Sequence, residues 1–187
     1  MQPISDLPEY VEIDSVRYKI NTDCMTWIRI EHLIFDELEG LGVRLAKILV
    51  LAYPKLPENP DKAVERLWWF YLCGKEYNNE AQSADGQLVY DLLEDFDFVW
   101  AAFKSEFGID IEKEPLHWWR FMSLLGCLDD KCRFSQIVGY RAMDLSGIKD
   151  KEQLKFYRTM KKRYRLSKET GQEAKLWRLL NGLEGLF

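Results

Sequence analysis

From Thr22 onward, apolar side chains recur at intervals of three and four residues, in runs that glycine or proline closes. That spacing stacks them on one face of an α-helix, so helices packed on helices are the fold class it permits for most of the chain. Trp27, Ile28, Ile30, Leu33, Ile34 and Leu38 follow a Thr22 or Asp23 N-cap, and Gly40 and Gly42 end the run. Val43 to Tyr53 reads as a second, very apolar helix stopped by Pro54. Asn59-Pro60 pairs an N-cap with a proline at the first helical position, and Val64, Leu67, Trp68, Phe70 and Tyr71 carry that helix to Gly74. Further helices are predicted over Leu88–Phe107, from Glu114-Pro115 through Leu125, over Phe134–Met143, over Lys149–Leu166 and over Gln172–Leu183. Lys75–Gln87 is polar and without apolar period, and reads as a loop.

The segment before Thr22 has a different period. Tyr10, Val11 and Ile13, then Val16, Tyr18 and Ile20, alternate on either side of Asp14-Ser15, the pattern of a β-hairpin. Two strands are marginal alone in water, so one face must pack on the helices or an edge must pair with another chain. The expectation is a mainly α fold: a compact multi-helix domain with a small N-terminal β-hairpin and a basic C-terminal helical extension.

The overall charge of -5 conceals a division. Residues 1–148 carry 15 Lys and Arg against 26 Asp and Glu, and residues 149–187 carry 11 against 5. The chain therefore divides into an acidic hairpin-plus-helices core domain over 1–148 and a basic helical extension over 149–187, packed on the core or projecting from it. With 47% hydrophobic residues and seven Trp, the chain has enough apolar surface to offset the entropy of ordering. No apolar stretch approaches the roughly 18 residues of a membrane span, and the N-terminus lacks a basic region followed by an apolar one. Cys24, Cys73, Cys127 and Cys132 lie in or beside apolar helical patterns, as buried thiols do in a reducing compartment. These features point to a reducing cytoplasm.

Nothing in the sequence assembles a catalytic constellation. Only His32 and His117 exist as imidazoles, and Cys127 and Cys132 lack zinc-knuckle spacing, so no metal is expected. No cysteine sits in a nucleophile elbow, and Gly40-Leu41-Gly42 lacks the remaining glycines and the lysine of a phosphate loop. Glu94, Asp95 and Asp97 form the densest carboxylate group, but neighbouring positions on a helix diverge, and a solvated face is the reading. The chain reads as a non-enzyme without a cofactor.

Two features suit contact with other proteins. Trp68-Trp69 and Trp118-Trp119 are tandem pairs whose rings leave a helix about 100° apart, so one can enter the core while the other sits at a boundary or in an apolar groove. The run Lys161, Lys162, Arg163 and Arg165 has aromatic company in Phe156, Tyr157 and Tyr164. That combination can bind nucleic acid, but an acidic body repels a polyanion, which favours a solvated helix or an acidic protein surface. Association with another copy of the chain is a further use of the same charge division.

Several separated motifs, in order, carry a resemblance. They are Tyr18-Lys19-Ile20-Asn21-Thr22-Asp23 with Trp27; Leu67-Trp68-Trp69-Phe70-Tyr71-Leu72-Cys73-Gly74; Tyr90-Asp91 with Asp95 through Phe107-Gly108-Ile109-Asp110; Leu116-His117-Trp118-Trp119-Arg120-Phe121; and Phe134-Ser135-Gln136-Ile137-Val138-Gly139-Tyr140-Arg141, running on through Ser146 into Lys149-Asp150-Lys151. Together they resemble the gene product fifteen family of tailed bacteriophages and prophages of Gram-positive hosts, over the chain to about residue 165. The resemblance implies a tail-module protein of a long-tailed phage, similar in role to the chaperones that coat the tape-measure protein and recruit tail tube subunits. A structural tail or connector component retained in the virion is the alternative it leaves open. It brings no catalytic or binding residues.

Overall fold

A computed structural model of the chain describes residues 7–35, 39–75 and 89–167. The hairpin pairs β1 (Tyr10–Ile13) with β2 (Val16–Lys19) in the antiparallel register Ile13 to Val16 and Tyr10 to Lys19. Asp14 and Ser15 have φ of 50° and 63°, the left-handed pair that a two-residue hairpin turn requires. The Asp14 carboxylate accepts hydrogen bonds from Asn59 and Lys62, which ties the turn to the helix beginning there and lowers the Asp14 pKa, chiefly through Lys62.

Seven helices follow among the described residues: α1 (Cys24–Phe35), α2 (Leu41–Ala52), α3 (Pro60–Tyr71), α4 (Phe96–Phe107), α5 (Trp118–Leu125), α6 (Arg133–Ala142) and α7 (Lys151–Arg163). The mainly α fold with its N-terminal hairpin is as the sequence predicts. Asp23 caps α1 through Thr26 N, and Asn59 caps α3 through Lys62 N ahead of Pro60. The second helix begins at Leu41, so Gly42 lies inside it. The predicted last helix and most of the predicted loop lie outside the described residues.

Two helices are shorter than their apolar periods suggest. In the described part of the expected Leu88–Phe107 helix, a turn over Leu92–Asp95 precedes α4, because Asp91 Oδ1 accepts from Leu93 N and Glu94 N at 2.9 Å, and Asp95 Oδ2 accepts from Asp91 N at 3.1 Å. Local carboxylate-to-backbone bonds of this kind compete with the helical ladder. The helix expected from Glu114-Pro115 begins at Trp118, because Leu116 and His117 pair across the chain instead: Cys24 N donates to Leu116 O and Trp118 N to Thr22 O, at 2.8 and 2.7 Å.

The core is an aromatic stack crossing four helices. Phe70, Trp27, Trp118, Phe121 and Phe103 follow one another with ring centroids 4.8, 6.1, 5.6 and 5.0 Å apart and interplanar angles of 16–27°. All five are fully buried. Ile20, Ile28, Ile30, Ile34, Ile48 and Leu67 fill in around them, and Val11 and Ile13 bring the inner face of the hairpin into the same cluster.

Asp95, expected on a solvated face, is 1% exposed and forms a bidentate pair with Arg141 of α6, at 2.6 and 2.8 Å. Glu94 and Asp97 are exposed. The same guanidinium donates to Val89 O at 3.2 Å and to Tyr164 O at 2.5 Å, where the last turn of α7 ends. The basic helix thus lies against the body, and Tyr140 of α6 meets Phe156, Tyr157 and Tyr164 at 6.0–6.4 Å. The four cysteines are free; Cys24 is buried as expected, whereas Cys127 is exposed on the turn after α5.

Removing one member of a buried ion pair strands the other, at a cost of about 3–5 kcal/mol. Arg141→Ala should therefore lower the unfolding free energy by about that amount. Asp95→Leu together with Arg141→Met should cost clearly less than Arg141→Ala alone, both measured by urea denaturation.

Candidate contact cleft and its supporting tryptophans

A broad open concavity lies between the hairpin and α3. It measures about 600 Å³ and is bounded by Tyr10, Asp14, Lys62, Glu65, Arg66 and Trp69, with the β1 backbone along one side. Its geometry follows from helical spacing: Lys62, Arg66 and Trp69 are four and three residues apart and share the face of α3 turned toward β1. Arg66 Nε donates to the Glu12 carbonyl at 3.1 Å, so α3 occupies part of the outer edge of β1. The helical periodicity of Lys62, Arg66 and Trp69 was visible in the sequence, but the partner that makes their face a cleft is a strand far off in the chain, Glu12 lying 54 residues before Arg66.

The structure separates the tandem tryptophans. Trp68 and Trp118 are buried, at 6% and 0% exposure, and Trp118 belongs to the central stack, so neither offers its ring to a partner. Trp69 and Trp119 are half-buried and meet each other edge to face, centroids 5.4 Å apart. The second pair has a structural role: Trp119 Nε1 donates to Phe70 O at 2.8 Å, and Trp118 Nε1 donates to Tyr71 O at 2.9 Å. Two adjacent indoles of α5 thereby satisfy the last carbonyls of α3, which have no partner within their own helix.

The chain leaves α3 through a Schellman turn. Gly74 N bonds to Trp69 O and Cys73 N to Phe70 O, with Cys73 and Gly74 at φ of 56° and 72°. A Cβ on Gly74 would sit 2.9 Å from Cη2 of Trp119. Glycine is required there on both counts. Opposite, His117 caps α5: its Nδ1 accepts from Trp119 N at 3.1 Å, which leaves Nε2 to donate to Pro8 O at 3.1 Å. Burial lowers the His117 pKa below the ordinary imidazole value; the Pro8 carbonyl works against this, and Arg120 adds to it.

Of the basic candidates, Lys161, Lys162 and Arg163 end α7 and Arg165 follows it. Lys162, Arg163 and Arg165 are exposed and Lys161 is half-buried, and the Arg163 guanidinium lies over the Tyr164 ring. Along the same helix Lys151, Lys155, Arg158 and Lys162, the last of them one of these candidates, line a shallow concavity of about 380 Å³.

These features define a small helical protein in which Trp27, Trp68 and Trp118 lie in the interior and a hairpin-flanked cleft lies on the surface. The chain belongs to the bacteriophage Gp15 protein family, whose model matches residues 4–166. Neither a curated protein nor a solved structure matches it. Membership makes it a phage protein with a structural or assembly role.

Two outcomes follow for this region. Gly74→Ala should cost about 1–3 kcal/mol, through left-handed strain and the displaced Trp119 ring, read from the urea midpoint. A His117 pKa lowered in the folded state means that the neutral imidazole stabilises the fold. That contribution is complete above the unfolded-state pKa of about 6.5 and is lost as pH falls through the lower folded value. His117→Asn keeps a capping acceptor without a titrating ring. Its melting temperature should therefore fall less than that of the unaltered protein between pH 7.5 and 5.

Proposed function

We propose that this protein works in assembly of a long phage tail, in the cytoplasm of the infected bacterium, as a chaperone-like factor that holds the tape-measure protein, the tail tube protein or both. It acts by binding and not by catalysis. The observation that carries this reading is the pairing of family membership with the cleft between β1 and α3, where Trp69 supplies a half-buried aromatic wall and Lys62 and Arg66 a polar rim. A tape-measure protein is long and apolar enough to need cover before it is enclosed. An amphipathic segment laid against an aromatic-walled groove receives that cover in the way helix-in-groove recognition works. Truncation of a central aromatic anchor typically costs about 2 kcal/mol or more of binding, about thirtyfold in affinity.

Co-expression with the tape-measure protein of the same phage should yield a soluble complex of fixed stoichiometry on sizing after pull-down. Trp69→Ala should weaken it while leaving the circular dichroism spectrum unchanged. A protein that forms no such complex and is found in purified mature particles is a structural tail or connector component instead.

A further inference from the structure

The two edges of the hairpin are not equivalent. In a ladder closed by the two-residue turn at Asp14-Ser15, Ile13 and Val16 exchange hydrogen bonds, as do Val11 and Tyr18, and Ile20 N continues the series to Glu9 O at 2.9 Å. The intervening residues point their backbone groups outward: Tyr10 and Glu12 on β1, Arg17 and Lys19 on β2. On β1 that edge faces α3, and the Glu12 carbonyl is taken by Arg66. On β2 no described residue bonds to the outward N–H and C=O groups of Arg17 and Lys19. Among the described residues this four-residue strand edge is therefore unpaired, with Val16 beside it 51% exposed.

The side chains along this edge determine what can pair with it. Arg17 and Lys19 project on the solvent face, and Arg17 is held there by its guanidinium over the Tyr10 ring, 4.7 Å from the centroid. Val16 and Tyr18 point to the opposite face, where Tyr18 packs partly on the core. A second copy adding β2 to β2 antiparallel about Tyr18 would place Arg17 directly across from Lys19 twice, and like charges opposed on one face destabilise a pair. The same two cations attract a strand that brings carboxylates to those positions and apolar side chains to the other face.

We propose that β2 is a docking edge for an extended segment of a partner protein in which acidic and β-branched or aromatic residues alternate, added as a third strand of the hairpin. The proposal rests on the binding role put forward above and gives it a second point of attachment, separate from the cleft. Main-chain bonds from Arg17 and Lys19 supply the attachment, and the alternation supplies the selectivity. The cations have two effects: they keep copies of the chain from pairing and they favour an acidic strand.

The test uses the full-length protein and two capped eight-residue peptides, one alternating Val with Glu and one alternating Val with Lys. The Val/Glu peptide should bind and the Val/Lys peptide should bind at least tenfold more weakly, with amide hydrogen exchange at Arg17 and Lys19 slowed only by the first. Lys19→Pro removes an outward N–H and none of the bonds inside the hairpin, so it should weaken the Val/Glu peptide at least tenfold. The double variant R17E/K19E, which retains every backbone donor, should reverse the preference between the peptides. Equal exchange at Arg17 and Lys19 with and without peptide, or an unaltered preference in R17E/K19E, overturns the proposal. Protection of those two amides in a dimer of the protein alone overturns it in favour of a second copy. If the tape-measure complex forms undiminished with Lys19→Pro, edge docking of that partner is wrong while the holding role stands; if it fails with the unaltered protein, the holding role is wrong and the peptide result is judged separately.

Discussion

Arg141 is the residue on which the second half of the structure turns. Four hydrogen bonds from its guanidinium reach the Asp95 carboxylate, the Val89 carbonyl and the Tyr164 carbonyl. One side chain on α6 thus fixes the start of α4, the segment leading into it and the end of the basic helix. A lysine could not replace it, because a single ammonium cannot present a planar fork to a carboxylate and serve two carbonyls in other directions. A buried pair of this kind adds little net stability beside well-packed apolar residues, but removing one partner strands the other, so α4, α6 and α7 are tied to one another through it. Ser167 extends the same tie, donating to Glu94 one residue before Asp95.

The first half depends on the aromatic stack and on how its indole nitrogens are satisfied. Trp27 Nε1 donates to Asn21 O at 2.6 Å, and Trp118 and Trp119 donate to the end of α3. Large rings contribute most of the buried area in a core of this size, and a buried indole donor usually finds an acceptor. Here the donors of Trp27, Trp118 and Trp119 go to helix ends and loop carbonyls, whereas the buried Trp68 Nε1 has no partner among the described residues. The tandem arrangement on α5 lets one ring stack in the core and the other close the turn at Gly74, and both donors reach successive residues of α3.

Much of this was legible in the sequence, and what was not has a physical cause in each case. The hairpin, its turn and the caps at Asp23 and Asn59 are local, with period and turn chemistry agreeing, and they stand where expected. The false extension of α4 arose because Tyr90 and Phe96 continue an apolar period that two aspartate side chains interrupt by bonding to nearby backbone. The burial of Asp95 was hidden because its partner lies 46 residues away and because adjacent Glu94 and Asp97 make it look like part of a charged surface. Of the four tryptophans singled out, sequence could say that each pair splits between core and boundary, but not which member goes where. That depends on which neighbour supplies the carbonyls. The cleft needed β1 and α3 to be brought together, and only Lys62, Arg66 and Trp69, at helical spacing, hinted at one of its walls.

The contact of His117 with Pro8 joins residues 109 positions apart, and the bond from Trp118 N to Thr22 O spans nearly as much of the chain. A ribosome adds about 5–20 residues per second. The hairpin and the entry to α1 therefore emerge several seconds before the segment that completes their packing, since non-local contacts can form only after loop closure. During that interval Val11, Ile13 and Trp27 have no finished core to enter. The amino-terminal hairpin and the entry to α1 are consequently the part of the chain whose apolar faces wait longest for their packing partners while it is being made.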